Sequence, residues 1–292
     1  MEEHRAKTVV IVRVPMYDDV LIATDGSDVA ANAATVGITL ARALEATVHA
    51  LSVVEERRGD ESARRDRRES NAETVATEAA EAGCDADSIV RHGRPSTEIL
   101  TCADEVDADL VVVGTHGRTG VRQLVLGSVA LEVIREAHHP VLSVGPDAAW
   151  DDEDAALSDV CLATDGWSGS AAATEQALSL AAATDASLHV LYAVDVDPDA
   201  TELRTGFEEH GERTTAEVTD RADEQGLETS RTVTQGTAHE VVLDYVDDKS
   251  VDLLVMGTES KSNLERLVVG SVSQRVIPNA SVPVLTVRTL EP

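Results

Sequence analysis

The residues best placed to do chemistry are Gly114-Thr115-His116-Gly117, followed after nine further residues by Gly127-Ser128. The apolar stretch Leu110 to Val113 runs directly into them, and a helical pattern of Val129, Val133 and Ile134 runs out. Flexible backbone at a strand's end beside a helix N-terminus is a cradle for phosphate. Free N–H groups and the positive end of the helix dipole hold the anion without a lysine, and glycine lets the backbone approach. Taken alone, the same glycines also read as turn punctuation. The frame recurs, however: Leu253 to Met256 leads into Gly257, Ser260 and Gly270-Ser271, displaced by 143 residues and with the middle glycine replaced. The chain is a duplication.

Other landmarks repeat in the same order. Val20 to Gly26 (VLIATDG) returns as Val160 to Gly166 (VCLATDG), His49 to Val53 as His189 to Ala193, and Pro140 to Val144 as Pro283 to Val287. The repeats divide the chain into an extension at 1–15, a first domain at 16–146, an acidic linker at 147–158 and a second domain at 159–292. Each domain is long enough to bury its own core. Asp151-Asp152-Glu153-Asp154 and the lack of apolar periodicity make the linker read as solvated. Within the first repeat, strand-like runs at Val20 to Ala23, Val48 to Val54, Ile89 to Arg91, Leu110 to Val113 and Val141 to Val144 alternate with helical spacing. Val29, Ala33, Val36, Leu40 and Leu44 share one helical face, with Ser27 or Asp28 as its cap. Such alternation implies an α/β fold with a mostly parallel sheet covered on both faces. Ligands then sit beyond the strand C-terminal ends at the switch point, where Asp25 and Gly114 meet if the first and fourth strands are neighbours.

On these residues the chain resembles a tandem universal stress protein from Met16 to its C-terminus, and its first repeat matches the G-x2-G-x9-G-[S/T] pattern of the family's ATP-binding branch. The resemblance implies two tandem Rossmann-like domains of the adenine nucleotide alpha hydrolase type, each a five-stranded parallel sheet of order 3-2-1-4-5 flanked by helices. It implies ATP, with or without Mg2+, in the first repeat. Ala23, Thr24 and Asp25 would line the adenosine end, and Val53 would contact the base. Val113, Gly114, His116 and Gly117 would border ribose and phosphates, and Gly127, Ser128 and Val129 would cap the phosphate chain. Each residue also has a plainer reading: Thr24 and Asp25 as turn caps, Val53 as core, His116 as a loop histidine. In the second repeat Glu259 replaces His116, Ser260 replaces Gly117 and Trp167 replaces Ser27; the carboxylate and the Cβ at the middle glycine position are unfavourable to a bound phosphate chain. The expectation is one nucleotide per chain and a structural second domain. Terminal strands in the family often pair between domains, so the resemblance also implies that Val284 to Val287 pairs with Val141 to Val144 in an internal pseudo-dimer, which could assemble further.

The net charge of -30 is spread through both repeats, with lysine only at 7, 249 and 261. Such charge reads as disorder, a cationic partner or a cytoplasm at molar salt; clear β/α periodicity conflicts with disorder, and acids spread through both repeats rather than gathered in one patch favour the salt-loving cell, where self-repulsion is screened. Nucleic acid is excluded as a partner by the absence of a basic stripe and by the scarcity of aromatics, two Trp, three Tyr and one Phe. A local exception, Arg57-Arg58 and Arg64-Arg65-Asp66-Arg67-Arg68, lies between the second strand and the next helix. It reads either as a solvated helix or as a flap whose Arg65 and Arg68 neutralise phosphates. Cys84, Cys102 and Cys161 are scattered, which fits a reducing compartment. His138-His139-Pro140 reads as a helix end favouring imidazolium, and the nine histidines show no metal-ligand spacing. No run approaches a membrane span, and Met1-Glu2-Glu3 is unlike a signal peptide. Thr8 to Val14 either precedes the natural start at Met16 or adds a strand.

Three functions remain: an ATP-sensing stress-response module with an unknown protein partner, a slow ATPase or phosphotransferase, and a nucleotide-independent scaffold. The enzyme reading lacks its apparatus. The phosphate-lysine pattern G-x4-G-K-[S/T] and G-x-G-x-x-G are both absent, and Asp25 suits a turn as well as Mg2+.

Overall fold

The computed structural model describes residues 17–55, 61–116, 126–148, 150, 157–197, 199–258 and 269–289. In the first half the expected alternation is β1 Asp19–Ala23, α1 Asp28–Ala43, β2 Thr47–Val54, α2 Glu61–Glu81, β3 Ala86–His92, α3 Pro95–Glu105, β4 Leu110–Gly114, α4 Ser128–Glu136 and β5 Val141–Val144. The second half repeats it. β6 Asp159–Ala163 leads through a 3-10 turn, Ser168–Ser170, into α5 Ala171–Thr184. Then follow β7 Ser187–Val194, α6 Thr201–Asp223, β8 Thr229–Gln235, α7 Ala238–Lys249, β9 Leu253–Gly257, α8 Ser271–Val276 and β10 Val284–Val287.

The strands form one sheet in the order β3-β2-β1-β4-β5-β10-β9-β6-β7-β8. Each half therefore has the 3-2-1-4-5 order, with its own strands all parallel. The halves meet where β5 and β10 run antiparallel, Leu142 opposite Leu285, and Thr286 Oγ1 donates to the Val141 carbonyl at 3.1 Å. The expected pairing of terminal strands is thus present.

Alternate strand residues divide the core. Val20, Ile22, Val48, Ala50, Leu110 and Val112 face α1 and α2, packing with Val36, Leu40, Val75 and Ala79. Leu21, Leu51, Val53, Val111 and Val113 face α3 and α4, packing with Ile99, Val133 and Ile134. Continuous apolar runs in the sequence are needed because both faces are covered. Cys84, Cys102 and Cys161 are unbridged, and burial raises all three thiols.

Two expectations are corrected. The segment at 147–158 is not simply solvated: Ala148 and Leu157 are buried, and the Trp150 indole packs on the core while Nε1 donates to the Asp252 carbonyl at 3.0 Å. Their apolar side chains gain by leaving water for the core. At His138-His139-Pro140, α4 has already ended at Glu136. Burial lowers the His139 pKa, the opposite of an imidazolium favoured by the helix dipole, although Asp104 lies 3.7 Å away. Thr8 to Val14 lies outside the described residues.

Candidate functional site

β1 has β2 on one side and β4 on the other, so the chain leaves its C-terminal end at the switch point of the first half. There, Thr24 N–H extends the ladder to the Leu51 carbonyl at 2.8 Å, and Ser52 Oγ donates to the Thr24 carbonyl at 2.8 Å. Gly26 turns the chain at φ +72°, its N–H donating to Thr24 Oγ1 at 3.2 Å. The Asp25 carboxylate accepts from Ser27 N–H at 2.9 Å, and Ser27 Oγ caps α1 by accepting from Ala30 N–H at 3.3 Å. Arg68 Nη1, from α2, donates to the Asp25 carbonyl at 2.6 Å. These bonds fix the turn through local partners.

The second wall comes from β4. A side chain at Gly114 would press on Val29 and Ala30 of α1, with its Cβ 3.2 Å from the Val29 carbonyl oxygen. Thr115 is fully buried, its N–H donates to the Val144 carbonyl at 2.9 Å, and its hydroxyl lies 2.9 Å from His116 Nδ1. Gly127 N–H reaches back to the Thr115 carbonyl at 2.7 Å, which brings the start of α4 against the end of β4. Ser128 and Val129 form the first turn of α4, where N–H groups lack partners within the helix.

The candidate residues therefore converge at one end of the sheet, but their roles differ. Thr24, Asp25, Gly114, Gly127, Ser128 and Val129 bring backbone to the site. Val53 and Val113 have buried side chains in the core beneath α3 and α4, and Ala23 packs on the same cluster. Their side chains are core, so only main-chain atoms of Val53 remain to address a base. His116 is held by Thr115, and Gly117 lies outside the described residues. Among the described residues no group of three or more His, Cys, Asp or Glu could hold a metal ion. One Asp25 carboxylate oxygen accepts from Ser27 N–H, and Mg2+ is ordinarily held by one or two carboxylates together with substrate phosphates rather than by an all-protein cage.

The arginine run is corrected. Arg64, Arg65, Arg67 and Arg68 belong to α2 itself, while Arg57 and Arg58 lie outside the described residues. Helical periodicity turns Arg64 and Arg68 inward with Ala72 and Val75 and leaves Arg65 and Arg67 exposed. Arg65 thus points away from the site. Sequence reasoning missed Ser52, Asn71 and Thr115. Asn71 stands over Gly26, its amide 2.5 Å from where a Gly26 Cβ would lie, and comparing position 52 with 192 between repeats was the available signal.

In the second half the skeleton is conserved. Thr164 N–H donates to Leu191, Gly166 again has φ +72°, and the Asp165 carboxylate accepts from Trp167 N–H at 3.0 Å. His210 Nε2 takes the Asp165 carbonyl at 3.0 Å, the place of Arg68, and Thr214 stands over Gly166 as Asn71 stands over Gly26. What differs is the filling. Trp167 stacks on His210 with centroids 4.5 Å apart, and Tyr192, at the position of Ser52, meets His210 edge-on at 5.7 Å. Burial, then the nearby Asp165 charge, raises the Tyr192 phenol. Glu259 and Ser260 lie outside the described residues.

Comparison with known proteins gives two matches to the universal stress protein family, at residues 16–145 and 157–288. A universal stress protein of Thermus aquaticus is 41% identical over 137 residues, covering 44% of this chain and 99% of that protein. One of Methanocaldococcus jannaschii is 33% identical over 137 residues, covering 44% of this chain and 81% of its own. Over both halves, the crystal structure of a universal stress protein from Archaeoglobus fulgidus superposes with a TM-score of 0.72 at 20% identity, covering 94% of this chain and 97% of that one, a likeness of fold.

Proposed function

The chain belongs to the universal stress protein family, and from that premise we propose that it is an ATP-binding regulatory module whose first half holds one nucleotide and whose second half is structural. The observation that carries this reading is the contrast above the two Asp-Gly turns. Ser27 and Ser52 occupy the positions of Trp167 and Tyr192, which in the second half pack on His210, one stacked and one edge-on. In this reading a planar base lies over the first turn, while the second is already covered by the protein's own aromatics.

In this reading the Thr24–Ser27 turn and the main chain of Val53 hold the adenosine. The first turn of α4, from Ser128 and Val129, faces the phosphate chain with N–H groups and the positive end of its dipole. Gly114, His116 and Gly117 border ribose and phosphates between them. Mg2+ would enter with the phosphates. No general base or phosphate lysine is assigned, so the module responds to occupancy by changing a protein partner or its assembly. No helix among the described residues is long and apolar enough to cross a membrane. We place the protein in the cytoplasm of a salt-loving cell, a reading supported by its unbridged cysteines and its -30 charge.

Calorimetric titration of ATP in molar KCl with Mg2+ tests the proposal, with Ser27→Trp as the variant that closes the first site in the manner of the second. One site per chain, lost in the variant, is expected. No heat from folded, nucleotide-free protein, with equilibrium dialysis also blank, overturns the reading and leaves the scaffold in front. Phosphate release by the native protein that Ser27→Trp abolishes would instead make it an ATPase.

A further inference from the structure

Each half takes the carbonyl of its turn aspartate with a donor from the helix that follows the second strand. In the first half the donor is Arg68 Nη1 at 2.6 Å from the Asp25 oxygen; in the second it is His210 Nε2 at 3.0 Å from that of Asp165. The chemistry of the donor changed between the halves and the bond did not. This carbonyl lies just past the last ladder bond of the strand, and in both halves a side chain supplies its donor. Around it, Thr24 Oγ1 accepts from Gly26 N–H, Ser27 Oγ accepts from Ala30 N–H, and Ser52 Oγ donates to the Thr24 carbonyl.

We propose that Arg68 is the positioning residue of the first site, clamping the Asp25 carbonyl so that the Thr24–Ser27 turn is already in its adenosine-binding shape before ligand arrives. The inference rests on the nucleotide reading of the first half and assigns to it a residue outside the glycine pattern. It also separates Arg68 from a phosphate-neutralising role. A clamp on the turn serves the base and ribose, so its loss weakens adenosine and ATP alike. A countercharge serves the phosphates, so its loss weakens ATP alone and fades in salt. A lysine at 68 keeps one charged donor, whereas a methionine keeps the apolar stem and removes the donor.

The experiment compares native protein, Arg68→Met and Arg68→Lys for binding of ATP and of adenosine between about 1 and 3 M KCl, salt at which simple charge effects are strongly screened. The expected result is a weakening of roughly tenfold by Arg68→Met for both ligands, about 1.4 kcal/mol, insensitive to salt and largely restored in Arg68→Lys. Loss confined to ATP, or no loss, overturns the clamp. Should the native protein bind neither ligand, the nucleotide reading fails separately, and amide hydrogen exchange at Ser27 and Ala30 decides for the clamp itself. Faster exchange in Arg68→Met than in native protein and Arg68→Lys supports it, and equal exchange in all three overturns it.

Discussion

Thr24-Asp25-Gly26 and Thr164-Asp165-Gly166 make the same turn with matching hydrogen bonds, yet Ser27 and Ser52 stand over the first where Trp167 and Tyr192 stand over the second. The glycines follow the same division. Gly114 and Gly257 both let the helical segment after the first strand of their half approach a strand end, a Gly257 Cβ lying 2.7 Å from the Gly169 carbonyl oxygen. Gly127 and Gly270 both donate to a threonine carbonyl at 2.7 Å. A glycine frame kept in both halves is thus first a packing requirement of the fold. What separates a site from its structural copy is the handful of side chains above the frame.

The comparison can be broken at the level of the scaffold first. Leu51 and Leu191 are buried counterparts in the two halves. Leu51→Ala and Leu191→Ala should each cost about 2–5 kcal/mol by denaturant unfolding. A clear inequality between them would show that the halves do not share one stability.

Gly26 and Gly166 come next, both at φ +72° beneath a side chain of α2 or α6. Alanine at either position should cost about 1–3 kcal/mol, the strain of a left-handed residue. The crowding is tighter at Gly166, where a Cβ would lie 2.2 Å from Thr214 Oγ1 against 2.5 Å from Asn71 at Gly26. Thermal unfolding should therefore rank Gly166→Ala as the more harmful.

A smaller effect sharpens the difference in filling. Trp167→Ser removes the ring stacked on His210 and should lose about 0.5–1.5 kcal/mol beyond the area it uncovers. The variant should remain unable to bind a second ATP, because Glu259 and Ser260 still replace His116 and Gly117. A second calorimetric site would show that the aromatics alone close the second half.

The smallest expected effect concerns the histidines on the second strand of each half. His49 sits between Asp19 and Asp87, both at 2.9 Å, whereas His189 has Asp159 at 2.9 Å and the Tyr245 hydroxyl at 3.1 Å. Burial opposes the charge on His49, but the hydrogen bonds and charges of its two carboxylates outweigh it and raise the pKa. Its contribution to stability is therefore full below about pH 6.5, the unfolded value, and is lost as pH rises through the higher folded value. Asp87→Asn leaves His49 one carboxylate, as His189 has, and should move that loss to lower pH in urea midpoints measured across the range.

The duplication, the strand and helix order and the location of the candidate site at the switch point were all legible along the chain, because apolar runs at Val20–Ala23 and Leu110–Val113 and the Thr-Asp-Gly turn are local patterns. The limits of β3 were legible only in part. Ile89 to Arg91 stands out by its β-branched residues, but pairing with β2 extends the strand to Ala86–His92. The fate of Ala148, Trp150 and Leu157 was hidden by their acidic neighbours, since burial depends on the distant surface they reach.

The sequence by itself determined that two copies of one parallel α/β plan exist and that the second departs from the first at the positions of Ser27, His116 and Gly117. Only the tertiary structure decided that Arg68 rather than Arg65 meets Asp25, that Val53 is core, and that Trp167, His210 and Tyr192 come together. The physical reason is range. Hydrophobic period and turn chemistry act over a few residues and are written in order. The contact of Arg68 with Asp25 spans 43 residues and exists only once α2 has docked beside α1 on the sheet.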